Sequence, residues 1–163
     1  MATRLTFDMP YSASPDEVSA MLDDPAFREA VCERQGATRY DVSIDGDDVR
    51  VEFGRRTKGL PGYATKIVGD EVTIVQSETW TSSTHADLQL VIPGKPGEVS
   101  GPLDIEPDGD GSVERLVLDI TVKVPMVGGK IEGLLKDMLR DGLRKEHEVG
   151  KERLPPPAPP PPP

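Results

Sequence analysis

The stretch VPMVGGKIEGLLKDMLRDGL, residues 124–143, decides the fold of this chain. A strand-like run ends at Pro125, and a helical pattern begins around the Gly128–Gly129 pair. Proline ends a strand because it has no backbone N–H, and glycine accepts dihedral angles that other residues avoid. We therefore predict that the two glycines make a sharp turn and let the helix approach the sheet closely.

The predicted helix is amphipathic. Its apolar residues recur at spacings of three and four, as in one face of a helix: Val127, Ile131, Leu134, Leu135, Met138 and Leu139. On the other face Glu132 precedes Lys136 and Asp141 precedes Lys145, the favourable order for ion pairs four residues apart. The apolar stripe should cover a sheet, and the charged face should lie in water.

The sheet is predicted from apolar residues that alternate with polar ones. A first strand covers residues 2–9, and two short helices follow, with Ser14 as an N-cap and Gly36 as a stop. Period-two runs then occupy residues 40–44, 49–53, 63–67, 71–83, 88–92, 99–106 and 113–124. The fold class is α+β: a curved antiparallel sheet of about six to seven strands wrapped around a long C-terminal α-helix.

Composition limits the possible functions. The chain has 163 residues and a net charge of −10, which disfavours nucleic acid as a partner. No apolar run is long enough for a membrane span and the amino terminus lacks a signal peptide, so we expect a cytoplasmic protein. We predict a domain over residues 1–154 and a disordered proline-rich tail over residues 155–163.

Two segments carry a family resemblance: IPGKPGEVSG at 92–101 and PDGDGSVERLVLDITVKVPMVGGKIEGLL at 107–135. They resemble the bacterial domain-of-unknown-function family 2505 (DUF2505), within the START/Bet v 1-like superfamily (SRPBCC, polyketide cyclase-like). The resemblance implies the helix-grip fold and a cavity between sheet and helix, which superfamily members use for lipids, polyketides and other apolar molecules. No catalytic motif can be matched, so the resemblance assigns no catalytic residue.

The candidate cavity follows from the inward phase of the strands and the stripe of the helix. Leu5 and Phe7 would contribute to its walls, and the candidate ligand-contacting residues are Tyr40, Val51, Phe53, Arg55, Tyr63, Glu78, Trp80, Leu118, Ile131, Leu134, Leu135 and Met138. The leading hypothesis is a non-enzymatic protein that binds a lipid-like or polyketide-like molecule in this cavity.

Glu78 is the residue on which the alternatives depend. Alternation places it inside beside Gln76 and Trp80, where a carboxylate needs a partner, and Arg55 could supply it. The first alternative is a cyclase- or dehydratase-type enzyme that uses Glu78 with Tyr63 or Arg55. A bulge that turns Glu78 outward would remove this alternative.

Other sites have little support in the sequence. His85 and His147 are too far apart to suggest a metal site, and the DIEPDGDGSVE segment fits a hairpin turn better than a calcium loop. No nucleotide-binding motif is present, so we predict no cofactor. A second alternative function is a partner-binding module that uses the proline tail or a homodimer interface. The oligomeric state is left open.

Overall fold

The chain opens with an edge strand and two capped helices. The computed structural model describes residues 2–154, in which β1 covers Thr3–Tyr11, α1 Pro15–Leu22 and α2 Pro25–Arg34. Ser14 caps α1 as predicted: its Oγ accepts from the Glu17 N–H at 3.2 Å, and the Glu17 carboxylate accepts from the Ser14 N–H at 3.2 Å. Gly36 follows α2 with a φ of 77°, which ends the second helix.

The six strands after the helices form an antiparallel meander. They are β2 (Arg39–Asp45), β3 (Asp48–Arg56), β4 (Glu71–Ser82), β5 (His85–Val91), β6 (Glu98–Asp108) and β7 (Gly111–Thr121). The seven-stranded sheet has the order β1-β7-β6-β5-β4-β3-β2, so β1 returns to pair with the last strand. The predicted α+β architecture is confirmed.

The predicted strand over residues 63–67 is wrong. This segment is a short helix, α3, over Gly62–Val68, with Pro61 at its N-cap. Because β3 and β4 pair directly with each other, a strand between them would find no free edge in this part of the sheet. Alternation over so few residues does not separate a strand from one turn of a helix, and the glycines and proline around it favour a loop with a helical turn.

The long helix α4 covers Gly128–Arg153. The turn before it differs from the prediction: Met126, with a φ of 73°, is the residue in the left-handed region, and neither glycine adopts positive φ. Gly128 does allow close packing, because a Cβ there would lie 2.5 Å from the Val122 carbonyl oxygen. Gly129 faces open space.

Glu132 lies against the sheet instead of in water. Its carboxylate accepts from the Thr3 hydroxyl at 2.7 Å and from the Val122 N–H at 2.9 Å. These bonds tie the start of α4 to β1 and to the end of β7, and they replace the expected pair with Lys136. The other expected pair is confirmed, with Asp141 and Lys145 3.1 Å apart.

The main core lies between α1, α2 and the concave face of β1, β5, β6 and β7. Its fully buried members include Leu5, Leu22, Phe27, Leu103, Leu116 and Ile120. The apolar stripe of α4 is only half-buried, so the helix does not fill the space above the sheet.

Among residues 2–154 no helix is long and apolar enough to cross a membrane. The predicted proline tail lies outside the described residues.

Candidate functional site

An apolar cavity lies between the concave face of the sheet and α4. Its volume open to the centres of water molecules is about 120 Å³. The walls come from β3 to β7 and from α4, and include Phe53, Ile74, Leu88, Leu116, Leu139 and Leu143. Most of the lining is aliphatic, as the low aromatic content of the chain requires.

A smaller pocket of about 60 Å³ adjoins this cavity. Ile131 and Leu134 of α4 face Ala64 and Ile67 of α3 across it. Leu135 and Met138 line both spaces, as do Ile92 and Gly97. The two spaces therefore adjoin each other under α4.

Polar side chains enter the cavity at two separate places. Glu78 and Glu146 line one end, where Arg28 packs from α2. Arg55 lines the cavity further along β3. The sheet register pairs Glu78 of β4 with Val49 of β3, and Arg55 lies six residues after Val49. At about 3.3 Å per residue this separation is roughly 20 Å along the strand. Only one end of the cavity is therefore both buried and acidic.

Arg28 and Glu78 form a buried ion pair at the acidic end. Nη1 and Nη2 of Arg28 donate to the two Glu78 oxygens at 2.7 and 2.8 Å, and Nε donates to the Leu22 carbonyl at 2.8 Å. Gln76 Nε2 and Trp80 Nε1 donate to the same carboxylate at 2.7 and 3.1 Å. Burial alone would raise the Glu78 pKa, but Arg28 and these hydrogen bonds hold it below its usual range.

Glu114 of β7 is fully buried, and neither of its carboxylate oxygens has a hydrogen-bond partner among the described residues. Burial, followed by the negative charge of Glu146, raises its pKa well above the usual value. Burial of an unpaired carboxyl disfavours its charged form and favours the approach of a cation. Glu114 is the buried acid that the folded chain leaves unsatisfied.

Glu146 of α4 lines the cavity and forms no ion pair with any residue of 2–154. Burial raises its pKa to about 7; Arg28 opposes this change and Glu78 adds to it. Both the protonated and the ionised form of this carboxyl are therefore accessible near neutral pH. It is a group that can exchange a proton or accept a cation from inside the cavity.

Half of the predicted candidates line the main cavity: Phe53, Arg55, Glu78, Leu118, Leu135 and Met138. Ile131 and Leu134 line the adjoining pocket. The alternation rule thus placed Glu78 inside correctly, at 1% exposure. Arg55 is not its partner, because the pair is made by Arg28.

The remaining candidates lie elsewhere. Val51 is in a second buried cluster with Cys32, and Tyr40 packs beside that cluster while its hydroxyl donates to Glu33 at 2.6 Å. Tyr63 is exposed on α3 because its segment is not a strand. Trp80 packs against the core and donates to Glu78. Leu5 and Phe7 belong to the main core instead of the cavity wall.

Three residues at the acidic end were not predicted from the sequence: Arg28, Glu114 and Glu146. Glu114 shares the period-two phase of Leu116, Leu118 and Ile120, so alternation could have placed it inside. Glu146 lies one turn beyond Leu143 and extends the apolar stripe of α4. Arg28 is one turn before Cys32, also buried on the same side of α2. In each case a charged residue at an inward position was the available signal.

Neither the histidines nor the cysteine joins this site. His85 pairs with Asp104 at 2.7 Å, and His147 Nε2 lies 2.7 Å from the Pro10 carbonyl oxygen. Cys32 is buried, which raises the pKa of its thiol to about 11. Residues 2–154 contain no group of three or more histidines, cysteines and acids arranged to hold a metal ion.

The chain resembles other proteins in both sequence and fold. An uncharacterized protein of Mycobacterium tuberculosis is 26% identical over 155 aligned positions, which cover 82% of this chain and 87% of the relative. The aromatase/cyclase BexL of the BE-7585A biosynthetic pathway has a TM-score of 0.69 at 13% identity, over 98% of this chain and 51% of that one. A START superfamily protein of Mycobacterium smegmatis has a TM-score of 0.58 at 14% identity, over 93% of this chain and 96% of that one.

These structural likenesses establish the helix-grip fold of the START/Bet v 1-like proteins, as the sequence analysis expected. The sequence itself matches a family described as a protein of unknown function over residues 6–154, which is nearly the whole described region. The chain is a member of the DUF2505 family.

Proposed function

We propose that this protein binds a small apolar molecule in the cavity between the sheet and α4. The observation that carries the proposal is a largely aliphatic space of about 120 Å³ between the sheet and α4. Burial of apolar ligand surface contributes roughly 25 cal/mol per Å² before the cost of ordering the ligand. The fold shared with the aromatase/cyclase BexL is consistent with a ligand-binding role.

The cavity volume limits the ligand. A cavity of about 150 Å³ lined by aliphatic and aromatic side chains holds one benzene molecule. The main cavity is of that order, and the adjoining pocket adds room along the first half of α4. We infer a ligand with one ring or a short chain. A larger polyketide would require α4 to move away from the sheet.

Native mass spectrometry of freshly purified protein tests this proposal. We expect an additional mass that disappears under denaturing conditions and that extracts as an apolar compound. The variant Met138→Trp should fill the cavity and abolish the additional mass, because Met138 lines both spaces. Asp137→Trp is the matched control, since Asp137 is exposed on the same helix. If Met138→Trp still carries the additional mass, the ligand binds outside this cavity and the proposal is wrong.

The cyclase or dehydratase alternative stays a prediction, but Glu78 does not suit its acid role. The pKa of Glu78 is held low by Arg28, so its carboxyl has no proton to donate at neutral pH. Tyr63 is exposed on α3, and Arg55 is far along the strand from Glu78. The partner-binding alternative also stays a prediction, because its proline tail lies outside the described residues.

A further inference from the structure

The acidic end of the cavity contains more carboxyl groups than the fold pairs with cations. Glu78, Glu114 and Glu146 come from β4, β7 and α4, and each is sensitive to the charge of Arg28. No other cation acts on Glu146 or Glu114 among the described residues. Among the described residues, one arginine is thus the cation that acts on all three acids.

Arg28 is already committed to Glu78. All of its guanidinium nitrogens donate, two of them to Glu78 and the third to the Leu22 carbonyl. Glu114 is left with no hydrogen-bond partner although it is 0% exposed. Leaving a buried polar group unpaired destabilises a fold, so such groups are rare and call for an explanation.

The other side chains around these acids do not supply a second cation. Tyr11 of β1 is buried nearby, and the acidic charges of Glu114 and Glu146 add to the effect of burial in raising its pKa. The Tyr11 hydroxyl points to the Met9 sulfur at 4.0 Å. His147 contacts the Tyr11 ring edge-on and bonds to Pro10. Among the described residues, Arg28 is the cation that acts on Glu146. A second cation would therefore have to enter through the cavity.

We propose that the cavity ligand carries a basic nitrogen, whose ammonium group binds the Glu146 carboxylate while its apolar part lies against the leucines of the sheet and α4. The inference rests on the proposed function and names its ligand class: a small hydrophobic amine. Of the two acids that line this end of the cavity, Glu78 is paired with Arg28, and Glu146 has no ion-pair partner among the described residues. Glu114, which does not line the cavity, is a further buried carboxyl at that end without a hydrogen-bond partner among the described residues.

The geometry also excludes a carboxylate head group from this end. A ligand anion would meet two acids and an arginine whose nitrogens are in use. A bound ammonium ion would instead favour the ionised form of Glu146, and the acid would release its proton as the ligand entered. Proton release on binding therefore distinguishes an amine from a neutral ligand.

Isothermal titration calorimetry with three probes of similar size tests the inference: 2-phenylethylamine, 2-phenylethanol and 3-phenylpropionate. The amine should bind the full chain at least tenfold more tightly than either of the others, because a charge-assisted hydrogen bond in a buried site contributes about 1.4 kcal/mol or more. Titrations near pH 6.5 in two buffers of different ionisation enthalpy should show proton release with the amine and none with the alcohol.

Glu146→Gln should weaken amine binding about tenfold or more and leave the affinity for 2-phenylethanol unchanged. Glu148→Gln, on the exposed side of the same helix, is the matched control and should bind like the parent protein. Equal affinities for amine and alcohol, or an unaltered amine affinity in Glu146→Gln, would overturn the amine inference while leaving an apolar cavity in place. Binding of none of the probes, with no ligand in native mass spectra, would count against both the inference and the proposed function.

Discussion

Arg28 of α2 and Glu78 of β4 form a bidentate ion pair inside the protein, with side-chain exposures of only 4% and 1%. The two residues are fifty positions apart in the chain, and their pairing joins the second helix to the middle of the sheet. It also fixes the acidic end of the cavity, because Glu78 lines that end and the charge of Arg28 acts on Glu114 and Glu146.

The first prediction concerns this ion pair. Arg28→Met should lower the free energy of unfolding by about 3–5 kcal/mol, because it leaves Glu78 buried without a cation. Arg34→Met is the control on the same helix: its pairs with Glu148 and Glu152 are exposed, so a loss of about 0–1 kcal/mol is expected. Urea denaturation near pH 7 measures both. Equal losses in the two variants would show that the buried pair has no special role in stability.

The second prediction concerns the pH dependence caused by Glu146. Its pKa is about 7 in the folded protein and near 4.5 when the chain is unfolded, so the folded state holds more protons between these values. The contribution of Glu146 to the free energy of unfolding is therefore fully present below about pH 4.5 and is lost as the pH rises to about 7. Glu146→Gln should match the parent protein near pH 4.5 and exceed its stability above about pH 7.

Urea denaturation across this pH range checks the difference between the two proteins. Glu148→Gln controls for the loss of one negative charge from the same helix. A difference for Glu146→Gln that does not change with pH would mean that Glu146 titrates normally in the folded state.

The third prediction separates the two glycines at the start of α4. Gly128→Ala should destabilise the protein by about 1–3 kcal/mol, because its Cβ would lie 2.5 Å from the Val122 carbonyl oxygen. Gly129→Ala should stabilise it by up to about 1 kcal/mol, because open space surrounds this position and alanine is the better helix former. Thermal unfolding followed by circular dichroism gives both values. If both substitutions change the stability in the same direction, the close packing of Gly128 against Val122 is contradicted.

The fourth prediction concerns Met126, which is fully exposed and has a φ of 73°. A side chain in the left-handed region costs about 1–2 kcal/mol, and glycine removes this cost while adding some unfolded-state entropy. Met126→Gly should therefore raise the free energy of unfolding by roughly 0.5 kcal/mol. Lys123→Gly, exposed in the same connection, should lower it. A destabilised Met126→Gly variant would argue against the left-handed turn.

The fifth prediction concerns Glu132, which joins the start of α4 to β1 and β7. Glu132→Ala should cost about 1–3 kcal/mol, because the buried Val122 N–H loses its acceptor. The hydrogen bonds from Val122 and Thr3 lower the Glu132 pKa, so its contribution is present above the unfolded pKa and is lost as pH falls through the folded pKa. Denaturation at neutral and acidic pH should show the difference shrinking on acidification. Asp137→Ala, at an exposed position of α4, should have little effect.

Local sequence patterns determined most of the architecture. The capping signal at Ser14, the alternation in β3, β4 and β7, and the helical period after Gly128 each depend on residues that are neighbours in the chain. The same alternation placed Glu78 in the interior. Where the pattern was short, as at Tyr63, it predicted a strand that the pairing of β3 with β4 does not allow.

Only the tertiary structure decided the partners of the interior charges. Alternation gives the face of a strand, but not which helix packs over it, so Arg55 was as reasonable a partner for Glu78 as Arg28. The sheet register separates Arg55 from Glu78, and the packing of α2 brings Arg28 within 2.7 Å. The same packing leaves Glu114 without a partner and Glu146 in the cavity. A charge's partner depends on distances between elements far apart in sequence, and those distances are fixed only when the helices close over the sheet.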